Sequence, residues 1–245
     1  MIFGNPLPAW CLMYPEDAIQ AFVTQWWEKD ESPGLKRGRL IWGFIPHVPQ
    51  VPMILNPIGR SDPTDHQRMN FKLEPLKAVR YPKLPRLPVA ALPLFDGEML
   101  SVYKAKKRPL LVISTGGTKV RKEIAKDSPK WQTLPAMLVA PFYGAGFDGK
   151  RAGFSEEFVR RIRRCEYPQY LYDKLPESGR TEESILRLDH LQPFPPFDQA
   201  YQWSPHCLNE EALMILDEWL QWLIEGTLPE DSVLGMYRDG LRGLD

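Results

Sequence analysis

Two residues, Arg187 and Asp189, are of types and at a spacing that could do chemistry together. They stand in Ser184-Ile185-Leu186-Arg187-Leu188-Asp189-His190-Leu191. If that stretch is a strand, side chains two apart share a face, so Arg187 and Asp189 lie side by side while Leu186 and Leu188 point into a core. A carboxylate can take a proton, and a guanidinium can hold an oxyanion in a forked hydrogen bond. The same two groups also make an ordinary surface ion pair, worth about 0–1 kcal/mol. What else the fold brings to them decides between the two.

Other constellations carry less. His47, Asp62, Asp65 and His66 are metal-ligating types, but their spacing matches no compact ligand pattern, and solvated loop residues are the simpler reading. Gly116-Gly117 follows an apolar strand pattern yet lacks the Gly-Lys-Ser/Thr ending and the Gly-x-Gly-x-x-Gly spacing of phosphate loops, so a nucleotide site is rejected. Neither a metal nor a cofactor is called for. Arg160, Arg161, Arg163 and Arg164 crowd one end of an expected helix, where they suit its dipole in any protein; RNA backbone contact is the second reading. Tyr170 and Tyr172 could stack a base, although aromatic residues in strands usually pack.

The elements that must position Arg187 and Asp189 are short. A helix is expected over 14–28, with Pro15 in its first turn and Ile19, Phe22, Val23 and Trp26 at helical spacing. Gly38 to Pro46 reads as a strand, and 47–95 as a Pro-rich insertion without sustained periodicity. Strands follow at Met99–Tyr103, Pro109–Ser114 and Ala136–Pro141, then a second insertion over 144–166 with a helix at Ser155–Arg164. An aromatic strand at Tyr167–Tyr172 precedes the Arg187 stretch. A last helix over 209–225 is capped by Asn209, lined by Leu213, Leu216, Leu220 and Leu223, and ended by Gly226. This order, without regular strand and helix alternation, predicts an α+β fold with a mainly β core: a small barrel or sheet with packed helices, a single domain over 1–245 with its barrel core at 38–193.

Composition is compatible with that. The 245 residues include 43% apolar types, enough for a substantial core, and 25 prolines that favour loops over long elements. Lys plus Arg equals Asp plus Glu at 31 each, so no global field points to or away from nucleic acid. Cys11, Cys165 and Cys207 lie far apart and are odd in number, a poor disulfide framework, which favours a reducing, cytoplasmic setting. No stretch resembles an export signal or a membrane span.

Five segments stand in order: Gly38-Arg39-Leu40-Ile41-Trp42, Lys107-Arg108-Pro109-Leu110-Leu111-Val112-Ile113-Ser114, Val139-Ala140-Pro141, Tyr167-Pro168-Gln169-Tyr170-Leu171 and Arg187-Leu188-Asp189-His190. Taken together, they resemble the PemK/MazF family of toxin ribonucleases. The resemblance covers scattered parts of 38–225 and leaves out the first helix and the insertion near 47–95. It implies an SH3-like β-barrel, a homodimer, that cuts single-stranded RNA without a metal and is neutralised by a small antitoxin. Cleavage there uses the RNA's own 2′-hydroxyl and leaves a 2′,3′-cyclic phosphate. That reaction needs a base, an acid for the leaving 5′-oxygen and cations for the charged phosphorane.

By the resemblance, Asp189 is the base, Arg187 matches an arginine proposed there as acid, and Arg108 grips the scissile phosphate. Arginine is a poor proton donor, so electrostatic stabilisation suits Arg187 better. Lys107, Tyr143, Tyr170 and His190 are the candidate substrate contacts. The family has a threonine or serine shortly after the proline ending its next strand, where Pro141 is followed here by Phe142 and Tyr143; Tyr143 offers a hydroxyl on a larger ring. Ahead of the Arg-Pro pair some members carry a Glu or His in a short loop, absent from Tyr103-Lys104-Ala105-Lys106-Lys107; His47 is a candidate replacement. A barrel of the same fold that binds RNA or protein without cutting is the alternative.

Overall fold

The computed structural model describes residues 14–65, 68–76, 97–118, 120–127, 133, 135–146, 153–176 and 183–243. Cys11, His66 and Asp96 lie outside these residues, as does the stretch 77–96 of the Pro-rich insertion. The chain forms two compact units, one made of Ile45–Lys106 and the other of the chain up to Phe44 together with Lys107 onward.

The larger unit is α+β and mostly β. Its strands are β1 (Trp27–Lys29), β2 (Arg39–Pro46, of which Ile45 and Pro46 belong to the other unit), β6 (Ala105–Ser114, of which Ala105 and Lys106 do), β7 (Met137–Gly144), β8 (Tyr170–Lys174), β9 (Glu183–Arg187), β10 (Gln192–Phe194) and β11 (Tyr201–Leu208); β3 (Met53–Gly59), β4 (Asn70–Pro75) and β5 (Ser101–Val102) lie in the other unit, and a short helix, α1 (Lys122–Ala125), follows β6. They form a curled, antiparallel half-barrel of eight strands in the order β1-β11-β2-β6-β7-β9-β8, with β10 on β7. The second edge of β7 is shared. Met137–Val139 pair with β10, Phe142–Gly144 pair with β9, and the chain passes between them through a 3-10 turn, Leu188–His190.

Alternation along these strands makes two packed faces. Leu111, Ala140, Phe142, Leu171, Leu186 and Leu188 belong to one core with α3 (Glu210–Glu225), whose Ala212, Ile215, Leu216, Trp219 and Trp222 are buried. Ile185 and Tyr172 face the other way, toward Val159 and Ile162 of α2 (Glu156–Arg163). Both helices start where their caps are: the Asn209 side chain accepts from Ala212 N at 2.7 Å, and Ser155 Oγ accepts from Phe158 N at 3.3 Å. Gly226, at φ 77°, ends α3 in the left-handed conformation.

Several expectations are corrected. The helix over 14–28 does not form: Ile19–Phe22 make one 3-10 turn between extended Ala18 and Val23, and Trp27 begins a strand paired to β11. Tertiary bonds outweigh helical spacing there, because Gln20 donates to the Tyr172 carbonyl and the indoles of Trp26 and Trp27 both donate to Asp173. The strand expected at Ser184–Leu191 stops at Arg187, and the one expected from Tyr167 starts at Tyr170. On α3 the buried face is centred on Ile215 and Trp219; Leu213, Leu220 and Leu223 flank it.

The second unit holds β3 (Met53–Gly59), β4 (Asn70–Pro75) and β5 (Ser101–Val102) in the order β4-β3-β5, so part of the Pro-rich insertion is a paired hairpin. Among the described residues β5 pairs with Met53 and Ile54 alone, so Pro57 sits where β3 has one described neighbour, a position that tolerates proline. Several elements had no sequence expectation, among them β10, β11 and a helix after α3. Strand β11 carries Pro205 and a register shift between Trp203 and Cys207, and α4 (Val233–Arg242) contains Gly235 and Gly240. The start of α4 is made by α3: Glu218 accepts from Ser232 Oγ at 2.8 Å and from Leu234 N at 2.7 Å.

Candidate active site

Register alone brings four side chains together. β6 and β7 pair Leu110 with Pro141 and Leu111 with Ala140, and two residues back along β6 that register sets Arg108 opposite Tyr143. β7 and β9 pair Tyr143 with Ile185, which places Arg187 diagonally beside Tyr143 on the same face. β8 and β9 pair Tyr170 with Arg187 directly. Further along this face lie buried Ile185 and Tyr172. Toward the 3-10 turn it opens, and Arg108, Tyr143, Tyr170 and Arg187 are half-buried.

The contacts follow from that placement. The Arg108 guanidinium lies 4.0 Å from the centroid of the Tyr143 ring, and that of Arg187 lies 5.7 Å from the same ring and 4.8 Å from the Tyr170 ring. Two cations thus flank one aromatic ring, each attracted by its quadrupole. Arg187 also forks onto Asp189, Nε to Oδ1 at 2.7 Å and Nη2 to Oδ2 at 2.6 Å. The Asp189 side chain keeps 27% of its surface exposed beside this fork.

His190 closes the arrangement. In a straight strand it would point to the core side with Leu188; in the 3-10 turn residues three apart eclipse, so His190 comes round to Arg187. Arg187 Nη2 donates to His190 Nε2 at 2.9 Å, and Tyr143 Oη lies 2.8 Å from His190 Nδ1. His190 Nε2 and Asp189 Oδ2 are 4.0 Å apart. Burial holds the imidazole below its ordinary pKa, helped by the Arg187 charge, with Asp189 opposing. Burial raises the Tyr143 phenol, and the Arg108 and Arg187 charges act against that rise. The fork from Asp189 keeps Arg187 more firmly protonated still.

The cluster thus contains Arg108, Tyr143, Tyr170, Arg187, Asp189 and His190. Lys107 is not drawn in: its neighbour Arg108 faces the cluster, and Lys107 Nζ donates instead to Gln202 Oε1 of β11 at 3.1 Å. His47 belongs to the other unit. The histidine of the cluster is His190, already a candidate from the sequence; what the sequence did not show is the turn that brings it round to Arg187. Two arginines of α2 serve the fold: Arg161 pairs with Glu166 at 2.6 Å and lies over Tyr167, and Arg163 pairs with Asp17 at 3.2 Å. Gly116 and Gly117 have φ of 88° and 75°, and a Cβ on Gly116 would sit 2.5 Å from Pro135 Cβ, so this glycine pair serves a tight turn. Cys165 and Cys207 are buried free thiols. Among the described residues no three His, Cys, Asp or Glu side chains are grouped to hold a metal, and no helix is long and apolar enough to cross a membrane.

Such a cluster can bind an anion and move protons beside it. Two guanidiniums suit one phosphate diester, the carboxylate can accept a proton, and the phenol and imidazole supply oriented polar hydrogens. No protein-family model matches the chain, and no curated protein and no solved structure is similar enough to count as a match.

Proposed function

We propose that this protein is a metal-independent endoribonuclease of the toxin type, built on an SH3-like barrel, that cuts single-stranded RNA through 2′-hydroxyl attack. The observation that supports the reading is the convergence of Arg108 and Arg187 on the Tyr143 ring with Asp189 forked to Arg187, which gathers two cations and a carboxylate around one ring. Asp189 takes the 2′-hydroxyl proton. Arg108 and Arg187 hold the phosphorane oxygens, and Tyr170, beside Arg187, offers a ring on which a flanking base stacks. A homodimer and a small antitoxin protein that covers the cluster belong to the same proposal, which places the protein in the cytoplasm.

The test is incubation of the full chain with single-stranded RNA in the presence of a chelator, with the new ends analysed. Cutting that leaves 2′,3′-cyclic phosphate and 5′-hydroxyl ends, and falls by about 10²–10⁴-fold in Asp189→Ala, is expected from loss of a general base. Intact RNA, or cutting that Asp189→Ala leaves unchanged, refutes it.

One observation favours a second reading. Both Asp189 oxygens are engaged by Arg187, as in a closed ion pair, which fits a barrel of the same fold that binds RNA or a protein without cutting it. Retention of single-stranded RNA without cleavage, weakened in Arg108→Ala, is the outcome that belongs to that reading.

A further inference from the structure

We propose that Tyr143 is the proton donor to the leaving oxygen and that His190, held as its Nδ1–H tautomer, is the residue that aims it. This rests on the ribonuclease reading above and assigns the acid that reading leaves open. The argument begins at Arg187, whose nitrogens donate only. Its Nη2 lies 2.9 Å from His190 Nε2, so Nε2 must offer a lone pair. A neutral imidazole with a bare Nε2 carries its hydrogen on Nδ1. Nδ1, 2.8 Å from Tyr143 Oη, is then the donor of that bond, and the phenol oxygen is its acceptor. The phenol's own hydrogen is thereby turned away from His190, free to point at a bound group. A protonated imidazole would set an N–H against an N–H at Nε2, so the geometry keeps His190 neutral.

The same contacts prepare the phenolate. Once Tyr143 gives up its proton, the anion is met by the Nδ1–H of His190 and by the guanidiniums of Arg108 and Arg187 beside its ring. The step balances. The 2′-oxygen loses its proton to Asp189 and forms a bond to phosphorus; the bond from phosphorus to the 5′-oxygen breaks, and its electron pair takes the proton of Tyr143. The cyclic phosphate and the 5′-hydroxyl leave, and the proton on Asp189 returns to the phenolate through solvent. Acidity favours the phenol over the obvious rival, because phenols ionise near 10 and guanidiniums only well above that. Burial weakens the phenol as an acid, while the two guanidinium charges oppose that effect. The fork to Asp189 makes Arg187 a weaker acid still. The large ring after Pro141 then supplies a proton and does not merely fill a pocket.

The experiment compares two RNA substrates, one ordinary and one with sulfur in place of the bridging 5′-oxygen, whose thiolate leaves without a proton. Tyr143→Phe keeps the ring, and its fold is checked by thermal unfolding. It should lose about 10²–10⁴-fold on ordinary RNA, the usual worth of a general acid, and recover to within several-fold of the native protein on the sulfur substrate. His190→Ala should lose less and recover in the same way. Rescue of Arg187→Gln but not of Tyr143→Phe, or equal losses of Tyr143→Phe on both substrates, overturns the assignment. A second measurement does not need activity: ring 15N shifts of His190 in the full chain, assigned against His190→Gln, should report a neutral imidazole protonated at Nδ1. Protonation at Nε2 overturns the orientation whether or not RNA is cut. If the native protein cuts neither substrate, the ribonuclease reading falls and takes the acid role with it, while the tautomer result still stands.

Discussion

Asp173 sets up a stability test that runs against the usual behaviour of carboxylates. It lies on β8, fully buried, and accepts from Tyr14 Oη at 2.8 Å, Trp27 Nε1 at 3.1 Å, Trp26 Nε1 at 3.3 Å and its neighbour Lys174 N at 2.7 Å. These donors favour the carboxylate, but burial outweighs them and its pKa is pushed up to about 7. The native state therefore binds a proton that the unfolded chain, with an aspartate near 3.9, has already released. Stability from this group is fully present below about pH 4, falls as pH rises toward 7, and is flat above. The whole span is worth about 4 kcal/mol, of which roughly 3 falls between pH 4.5 and pH 8. Asp173→Asn keeps the shape without the ionisation. Its amide turns an N–H toward one of the donors, so the variant is less stable than the native protein at pH 4.5, and the gap closes by roughly 3 kcal/mol by pH 8. In a chain of this size that is a relative shift of about 6–12 °C in Tm. Tryptophan fluorescence is the natural probe, because two indoles touch this carboxylate. A gap between the two proteins that stays constant with pH would show that Asp173 is ionised in the native state throughout.

Two other perturbations test how the frame is fixed. Glu218→Ala removes the acceptor of Ser232 Oγ and of the Val233 and Leu234 amides, and should cost about 1–2 kcal/mol, read first as faster hydrogen exchange through Val233–Arg242. Gly116→Ala meets Pro135 Cβ at 2.5 Å and the Ala136 carbonyl at 2.7 Å at a left-handed φ, so it should lose about 1–3 kcal/mol by chemical denaturation. Gly117→Ala meets nothing within 4 Å and should lose only the backbone term, about 1–2 kcal/mol.

What the sequence made legible was local. The caps at Ser155 and Asn209, the glycine after α3 and the apolar runs of β6 and β7 can each be read within a few residues, and each element is where its pattern puts it. The first helix failed because Trp26 and Trp27 are bound by a partner some 150 residues away, and no spacing rule sees Asp173. Strand β11 was hidden by Pro205, and α4 by glycines that another helix compensates through Glu218. The site divides in the same way. Arg187 and Asp189 were recognisable as a pair at a spacing of two, and they do touch. The place of His190 depended on the strand giving way to a turn, a change made by how β9 and β10 both dock on β7 and by nothing in the composition of Leu188-Asp189-His190.

That shared docking also limits how the chain can vary. A loop between two strands normally absorbs an added or deleted residue at its tip, but here both strands are registered against one rail, β7, on either side of the turn. An insertion between Arg187 and Gln192 would have to bulge outward or drag a ladder out of step. Asp189 and His190 therefore sit on a span of fixed length. The fold should therefore tolerate substitutions in this span far better than changes in its residue count, whatever they cost in activity.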